Sequence, residues 1–242
     1  MSAADALVLA WHGSRNPAAR RLIDRIVAQV ADRLPGVDVQ AAWVDIEPVR
    51  LADTLAEVGA CVLVPCFLAG GYHATHDVPE AVAATDGQVV VTTHLNGSLD
   101  DALLDRVLEA GGPGDAIVLA AAGSKHPGAT AEVAATAERL SRRLSVPVTV
   151  GNIYQSAPSV SEAVAAAIRH SKRQEPGAPE PDILVLPYAL APGLWGQRIA
   201  SLGTRVAAPL GAHEGVCAAI VSRYRQALPI ARGALLAHRS AA

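Results

Sequence analysis

The feature that most constrains the fold is an internal repeat. Residues 5–14 (DALVLAWHGS) resemble residues 115–124 (DAIVLAAAGS) at an offset of 110 residues. Further along, Val64-Pro65 matches Leu186-Pro187 at an offset of 122. The twelve extra residues of the second copy fit residues 171–181, whose charged, proline-rich composition is typical of an exposed loop. The chain is therefore a duplicated unit.

The repeat predicts the domain organisation. Two lobes are expected at residues 1–112 and 113–230, followed by a loosely packed tail at residues 231–242, within a chain of 242 residues. Hydrophobic residues make up 51% of the chain, which lets each lobe bury a core. Because only 3% of the residues are aromatic, we expect cores made mostly of Ala, Val, Leu and Ile.

Each copy alternates short apolar runs with longer amphipathic stretches. The runs are typical of parallel strands covered on both faces, and strands are predicted at residues 7–10, 37–44, 62–67, 89–93, 117–121, 146–153, 183–188 and 205–208. The stretches have apolar residues at helical spacing, and helices are predicted at residues 18–34, 77–84, 99–110, 129–144, 160–169, 196–202 and 215–226. This alternation predicts an α/β fold in which each copy forms a parallel sheet flanked by helices.

Charge and hydropathy exclude several classes. The net charge of −3 argues against a general nucleic-acid binder. The longest apolar stretch, residues 60–69, is only half of the roughly 20 residues that a membrane span needs. No basic residue precedes the first apolar run, and Cys61, Cys66 and Cys217 form no CxxC pair. We therefore expect a cytoplasmic protein with reduced thiols and no membrane partner.

Two histidine-bearing loops are the best candidates for chemistry. His12 follows the first predicted strand and His73 follows the third, and ligands in parallel sheets bind beyond the carboxyl ends of the strands. A lone histidine after a strand is ordinarily a hydrogen-bonded structural residue, but two such loops could converge on one metal ion. The repeat provides a control, because the counterparts of these histidines are Ala122 and Trp195. A purely structural role would require polar substitutes in the second copy.

These residues carry a resemblance to a known family. The pattern His12-Gly-Ser-Arg-x-Pro, followed by Pro65-x-Phe-Leu-x-Gly-Gly-Tyr-His73-x-x-x-Asp-Val-Pro-Glu80, resembles the sirohydrochlorin chelatases that insert cobalt or iron. The pattern Leu-Pro-Tyr-Ala-Leu-x-Pro-Gly at residues 186–193 resembles the second half of the same family. The resemblance covers residues 5–228.

The resemblance implies a fold and an activity. The fold would be α/β, with two duplicated flavodoxin-like lobes facing each other across a cleft. The activity would be ATP-independent insertion of a divalent metal, Fe²⁺ slightly favoured over Co²⁺, into sirohydrochlorin, with no other cofactor. Since both lobes lie in one chain, a monomer would suffice.

The resemblance also implies site residues. His12 and His73 match the family's metal-binding histidines, and one of them would accept a proton from the tetrapyrrole. His76 stands where family members often carry an acidic or basic residue, and its spacing from His73 makes it a further candidate ligand. Asp77 or Glu80 could orient an imidazole or carry the proton onward. Alternatively, Asp77 only caps a helix, and Glu80 only interacts favourably with the helix dipole from the first turn.

Sirohydrochlorin is a polycarboxylate, so the site should supply hydrogen-bond donors. Ser14 and Ser124 lie at matching turns before helices, where they could bind carboxylates or act only as caps. Arg15, Lys125 and Arg198 are candidate carboxylate partners, although each taken alone would be an ordinary solvated charge.

Two rival functions compete with this one. A phosphatase with a histidine nucleophile is disfavoured because Trp11, rather than an arginine, precedes His12. A carrier of metal or tetrapyrrole would need the same ligands without turnover, so the sequence leaves that alternative open.

Overall fold

The computed structural model describes residues 6–45, 49–154, 156–174, 179–191, 196, 199 and 202–241. Within them, eight strands form two parallel sheets of four, with the orders β2-β1-β3-β4 and β6-β5-β7-β8. The strands are β1 Ala6–Trp11, β2 Asp38–Trp43, β3 Cys61–Pro65, β4 Val89–Val91, β5 Ala116–Ala121, β6 Val148–Asn152, β7 Ile183–Pro187 and β8 Arg205–Val206. The predicted α/β fold with two parallel sheets is confirmed.

The sequence predicts the central strands, β1 and β5, most clearly. Every residue of β1 and of β5 is buried, as expected of apolar strands covered on both faces. The two sheets also share their register, since Ala10 pairs with Pro65 in the first and Ala120 pairs with Pro187 in the second. The repeat seen in the sequence is therefore a repeat of structure.

Helices connect the strands. They are α1 Pro17–Arg33, α2 Leu51–Val58, α3 Val78–Ala83, α4 Asp100–Glu109, α5 Pro127–Leu144, α6 Val160–Gln174 and α7 Glu214–Ala241. The first helix shows why the predicted boundaries hold: Pro17 occupies its first turn, and the Asn16 side chain accepts a hydrogen bond from the Ala18 N–H at 2.9 Å. None of the described helices has the length and apolar character needed to cross a membrane.

Several predicted boundaries are wrong. Helix α2 was not predicted, although Leu51, Leu55 and Val58 have helical spacing. Helix α6 continues to Gln174 and so includes the first residues assigned to a loop at 171–181. Residues 231–241, predicted as a loosely packed tail, instead continue α7, in which Ala231 is fully buried. Most of the helix predicted at 196–202 lies outside the described residues.

By packing, the chain divides into two compact units that differ from the predicted lobes of 1–112 and 113–230. The first unit contains the residues up to Asn96 and those from Glu214 onward, and the second contains Gly97–His213. Helix α4 therefore packs on α5 and β7 of the second unit, while α7 packs on α1, β3 and β4 of the first. The boundary between the two copies of the repeat, predicted after residue 112, therefore differs from the boundary between the packed units, which lies after Asn96.

Ion pairs help to hold these two helices in their units. In the second unit, Arg139 of α5 donates two hydrogen bonds to the Asp100 carboxylate at the start of α4, at 2.6 and 3.1 Å. In the first unit, Arg33 at the end of α1 pairs with Glu214 at the start of α7. Each pair also places an acidic residue in the first helical turn, where the helix dipole favours it.

Candidate metal site

The candidate site lies at the carboxyl edge of the first sheet. In the order β2-β1-β3-β4, the chain leaves β1 toward β2 on one side and returns as β3 on the other. Such a point of reversal opens a crevice beyond the strand ends, where ligands of α/β sheets bind. His12 directly follows β1, and His73 lies in the connection after β3. Both predicted histidines therefore reach the expected binding position.

The structure brings the two imidazoles together. The ring centroids of His12 and His73 are 4.0 Å apart, with an angle of 42° between the ring planes. His12 is exposed and His73 is half-buried, so the pair is open to an incoming ion. The turn after His12 depends on Gly13, whose φ of 97° is unfavourable for residues with a side chain. Two adjacent imidazoles are a suitable donor set for iron or cobalt.

His73 is positioned by a short π-helical turn, His73–Asp77. In this turn the Val78 N–H donates to the His73 carbonyl, five residues back, and the Asp77 carboxylate contacts Nδ1 of His73. A carboxylate can only accept here, so the neutral imidazole carries its proton on Nδ1 and presents the Nε2 lone pair to a metal. Asp77 makes no side-chain cap to α3, which leaves the orienting role as the one that the structure favours.

His76 has different neighbours. Its ring stacks on Tyr72, with centroids 4.5 Å apart and planes at 7°, and its Nδ1 lies 3.0 Å from the Thr75 hydroxyl. Among the described residues, no three His, Cys, Asp or Glu side chains are grouped so that they could hold a metal ion. The structure thus gives no support to His76 as a third ligand beside His12 and His73.

Two aromatic residues near the histidines were not singled out from the sequence. The Tyr72 ring meets His73 edge to face at 6.1 Å, and the Phe67 ring lies 6.3 Å from His73. Tyr72 is 62% exposed. Tyr72 could have been found from the sequence, because it directly precedes His73 in a chain with few aromatic residues.

The two candidate serines stabilise matching turns. The Ser14 hydroxyl accepts a hydrogen bond from the Asn16 N–H at 3.1 Å, and the Ser124 hydroxyl accepts one from the His126 N–H at 3.0 Å. Neither serine is the cap residue itself, since Asn16 and His126 occupy the cap positions of α1 and α5. The serines therefore shape the turns, and a role in binding carboxylates stays a prediction.

The remaining candidates are less constrained. Arg15 and Lys125 are exposed, and Glu80 is exposed in the first turn of α3. Arg198 lies outside the described residues. Binding or proton-relay roles for these side chains stay predictions.

The three cysteines are buried free thiols. Burial raises the pKa of Cys61 to about 12 and raises the pKa of Cys66 well above its usual value. Because the thiolate is the form that binds metal, these residues act as core packing in the folded chain.

Comparison with known proteins agrees with the repeat and the fold. The chain belongs to the CbiX family, whose model matches residues 6–110 and again residues 116–227. A curated relative, the sirohydrochlorin cobaltochelatase of Methanococcoides burtonii, is 32% identical over 74 residues, which are 28% of this chain and 56% of the relative. The match thus spans little more than half the length of that relative.

Solved structures show the same fold. SirB from Bacillus subtilis with Fe³⁺ has a TM-score of 0.76 and 20% identity, over 94% of this chain and 97% of that one. SirB from Bacillus subtilis subspecies spizizenii in complex with cobalt has a TM-score of 0.74 and 17% identity, with the same coverage. CbiX, described as the terminal enzyme of siroheme biosynthesis in denitrifying bacteria, has a TM-score of 0.67 and 20% identity, over 92% and 99% of the two chains.

Proposed function

We propose that this protein is a sirohydrochlorin chelatase that inserts a divalent metal ion into the tetrapyrrole without ATP. The observation that carries the proposal is the His12–His73 pair, with ring centroids 4.0 Å apart, at the binding edge of the first sheet. Membership of the CbiX family and the name of the curated relative support the same activity.

The reaction exchanges protons for a metal ion. Two N–H bonds of the macrocycle break, the two protons leave, and the ring nitrogens bind the metal, without any change in oxidation state. In our proposal the Nε2 atoms of His12 and His73 hold the incoming ion until the ring nitrogens replace them. An imidazole that has released its metal can accept a proton near neutral pH.

Asp77 would prepare His73 for this role. Its contact with Nδ1 fixes the ring orientation and the tautomer, and it stabilises the imidazolium that forms on proton uptake. Metal-binding histidines commonly have such a carboxylate on their second nitrogen. Glu80, exposed one turn later, is a candidate to pass the proton to solvent.

The substrate would be recognised through its carboxylates. Arg15 and Lys125 are exposed cations beside the matching turns of Ser14 and Ser124, and such cations bind carboxylates well. We extend this role to Arg198 from the sequence alone. We further propose that the protein works in the cytoplasm, and that one chain suffices for activity because it contains both copies of the repeat.

The metal is the open choice within the proposal. The relatives are named with cobalt and with iron, and imidazole suits both ions. We propose Fe²⁺ as slightly favoured over Co²⁺, as in the sequence-based prediction. Initial rates with each ion, measured in the same preparation, decide between them.

The decisive experiment mixes the purified protein with sirohydrochlorin and Fe²⁺ or Co²⁺ under anaerobic conditions without ATP. We expect the absorbance change of metal insertion to be faster than in protein-free controls and proportional to protein concentration. If the protein binds metal and tetrapyrrole but does not accelerate insertion, the proposal is wrong and a carrier function takes its place.

A further inference from the structure

We propose that Tyr72 and His76 form an aromatic platform that binds the face of the tetrapyrrole, and that His76 acts there as a stacking partner and not as a metal ligand. This inference rests on the proposed function and deepens it. It assigns a substrate-binding role to Tyr72, which neither the motifs nor the metal chemistry requires.

The exposure of Tyr72 is the first observation. The chain contains one Phe, four Tyr and three Trp, and Tyr72 is 62% exposed beside the predicted metal-binding pair. An exposed aromatic ring next to a candidate site is a common feature of surfaces that bind flat, conjugated ligands. The centroids of the Tyr72 and His73 rings are 6.1 Å apart and their planes are nearly perpendicular, a separation within the width of one tetrapyrrole macrocycle. One substrate molecule could therefore contact both residues.

The second observation is that the Tyr72 ring is supported from behind. His76 covers one face of it, in a nearly parallel stack with centroids 4.5 Å apart. Tyr72 is still 62% exposed with one face of its ring stacked on His76. A supported ring loses less conformational freedom on binding, so it binds a planar ligand better than a freely rotating one.

The third observation concerns how His76 is held. The Thr75 hydroxyl donates to the Gly71 carbonyl at 3.1 Å, so its oxygen accepts the Nδ1–H of His76 at 3.0 Å. The Thr75 hydroxyl is itself anchored to the backbone of the turn, so this hydrogen bond helps to fix the plane of the His76 ring. The ring is thus held flat against Tyr72, while among the described residues no three-membered group of metal-binding side chains includes it.

The first test separates stacking from other roles of Tyr72. Sirohydrochlorin is titrated into the metal-free protein, and binding is followed by the absorbance of the tetrapyrrole. We expect Tyr72→Ala to raise the Kd about tenfold, the size of one good aromatic contact, and Tyr72→Phe to leave it within about twofold. An unchanged Kd in Tyr72→Ala, or an equal loss in Tyr72→Phe, would overturn the platform.

The second test compares His76→Phe with His76→Ala in the insertion assay. Phenylalanine keeps a flat ring behind Tyr72 but has no nitrogen. We expect His76→Phe to keep the KM for both substrates within about twofold, and His76→Ala to raise the KM for the tetrapyrrole alone by about three- to fivefold. If both variants raise the KM for the metal ion, His76 is a ligand and the proposal is wrong.

The two proposals can fail separately. If the wild-type protein binds sirohydrochlorin but does not insert metal, the chelatase function fails, and the titration of the Tyr72 variants still decides the platform. If the wild type inserts metal but the Tyr72 and His76 variants bind the tetrapyrrole normally, the function stands and the platform is rejected. Since both residues are exposed, circular dichroism and thermal melting should match the wild type in every variant.

Discussion

The loops after β1 and after β5 are built alike but carry different chemistry. Gly13 and Gly123 have φ values of 97° and 90°, and the serine that follows each accepts a hydrogen bond from the N–H two residues later. The first loop has a histidine directly after its strand, His12, whereas Ala122 stands at the matching position of the second loop. The backbone of the turn is thus required by the fold, whereas the imidazole is not.

The positions directly after β3 and after β7 differ in the size of the side chain that they bury. After β3 the chain continues with Cys66, and at the corresponding point after β7 it continues with Tyr188. Burial raises the pKa of Tyr188 to about 12, and its hydroxyl interacts with Thr136 of α5. Both units therefore bury the side chain directly after this strand, and His73 comes seven residues later in the loop of the first unit. Trp195, the counterpart of His73, lies outside the described residues.

The largest effect should come from the histidines that distinguish the two loops. We expect His12→Ala and His73→Ala each to lower the rate of metal insertion by about 100-fold or more, because each removes a proposed metal ligand and one of the two is the proposed proton acceptor. The matched control is His126→Ala, which removes an exposed histidine from the corresponding loop of the second unit. Initial rates should be unchanged in the control. Equal losses in all three variants would mean that the two loops do not differ in function.

A smaller effect should come from the residue that orients His73. We expect Asp77→Asn to lower metal affinity or the insertion rate about 10- to 100-fold, the usual cost of losing a carboxylate behind a histidine ligand. Asparagine keeps the shape of the side chain, so the π turn should survive. Glu80→Gln, one turn further on, is the comparison variant and should cost less than about threefold, because solvent can take the proton directly at so exposed a position. A larger loss in Glu80→Gln than in Asp77→Asn would assign the role to Glu80.

The smallest effect concerns the scaffold itself. Gly151 of β6 pairs with Ala120, as Ala42 of β2 pairs with Ala10 in the first unit. A Cβ atom at Gly151 would lie 2.8 Å from the Cα of Val160, whereas the Cβ of Ala42 is accommodated and fully buried. We expect Gly151→Ala to lower the free energy of unfolding by about 1–3 kcal/mol, and Ala42→Gly by about 1 kcal/mol. Urea denaturation measures both, and a stabilising Gly151→Ala would refute the tighter packing of α6.

The sequence predicts most strands and helices well because the same pattern occurs in both copies of the repeat. Both copies of the first strand are fully buried apolar runs, and the helix that follows each begins at a proline, so independent signals agree on the boundaries. Short elements and contacts between distant elements are harder to predict from the sequence. Helix α2 has only eight residues, and the exchange of α4 and α7 between the units depends on tertiary packing that no local pattern records.

The site was predictable in part. The positions of His12 and His73 at neighbouring strand ends follow from parallel topology alone. The interpretation of His76 assumed an ordinary helical turn, in which residues three apart share a face. A π turn closes its hydrogen bonds over five residues and rotates less per residue, so the residue three positions after His73 turns away while Asp77, four positions after it, stays beside the imidazole. The sequence therefore left Asp77 and Glu80 as alternative partners for an imidazole, and the structure places Asp77 in contact with His73.

The most direct test of this account is a crystal structure of the protein grown with Co²⁺, in which anomalous diffraction locates the metal. We predict one cobalt ion in the first unit, bound by Nε2 of His12 and Nε2 of His73 at about 2.1 Å, with Asp77 still on Nδ1 of His73. The loops of the second unit should hold no cobalt. An ion bound away from both histidines, or bound through Nδ1 of His73 with Asp77 displaced, would contradict the account.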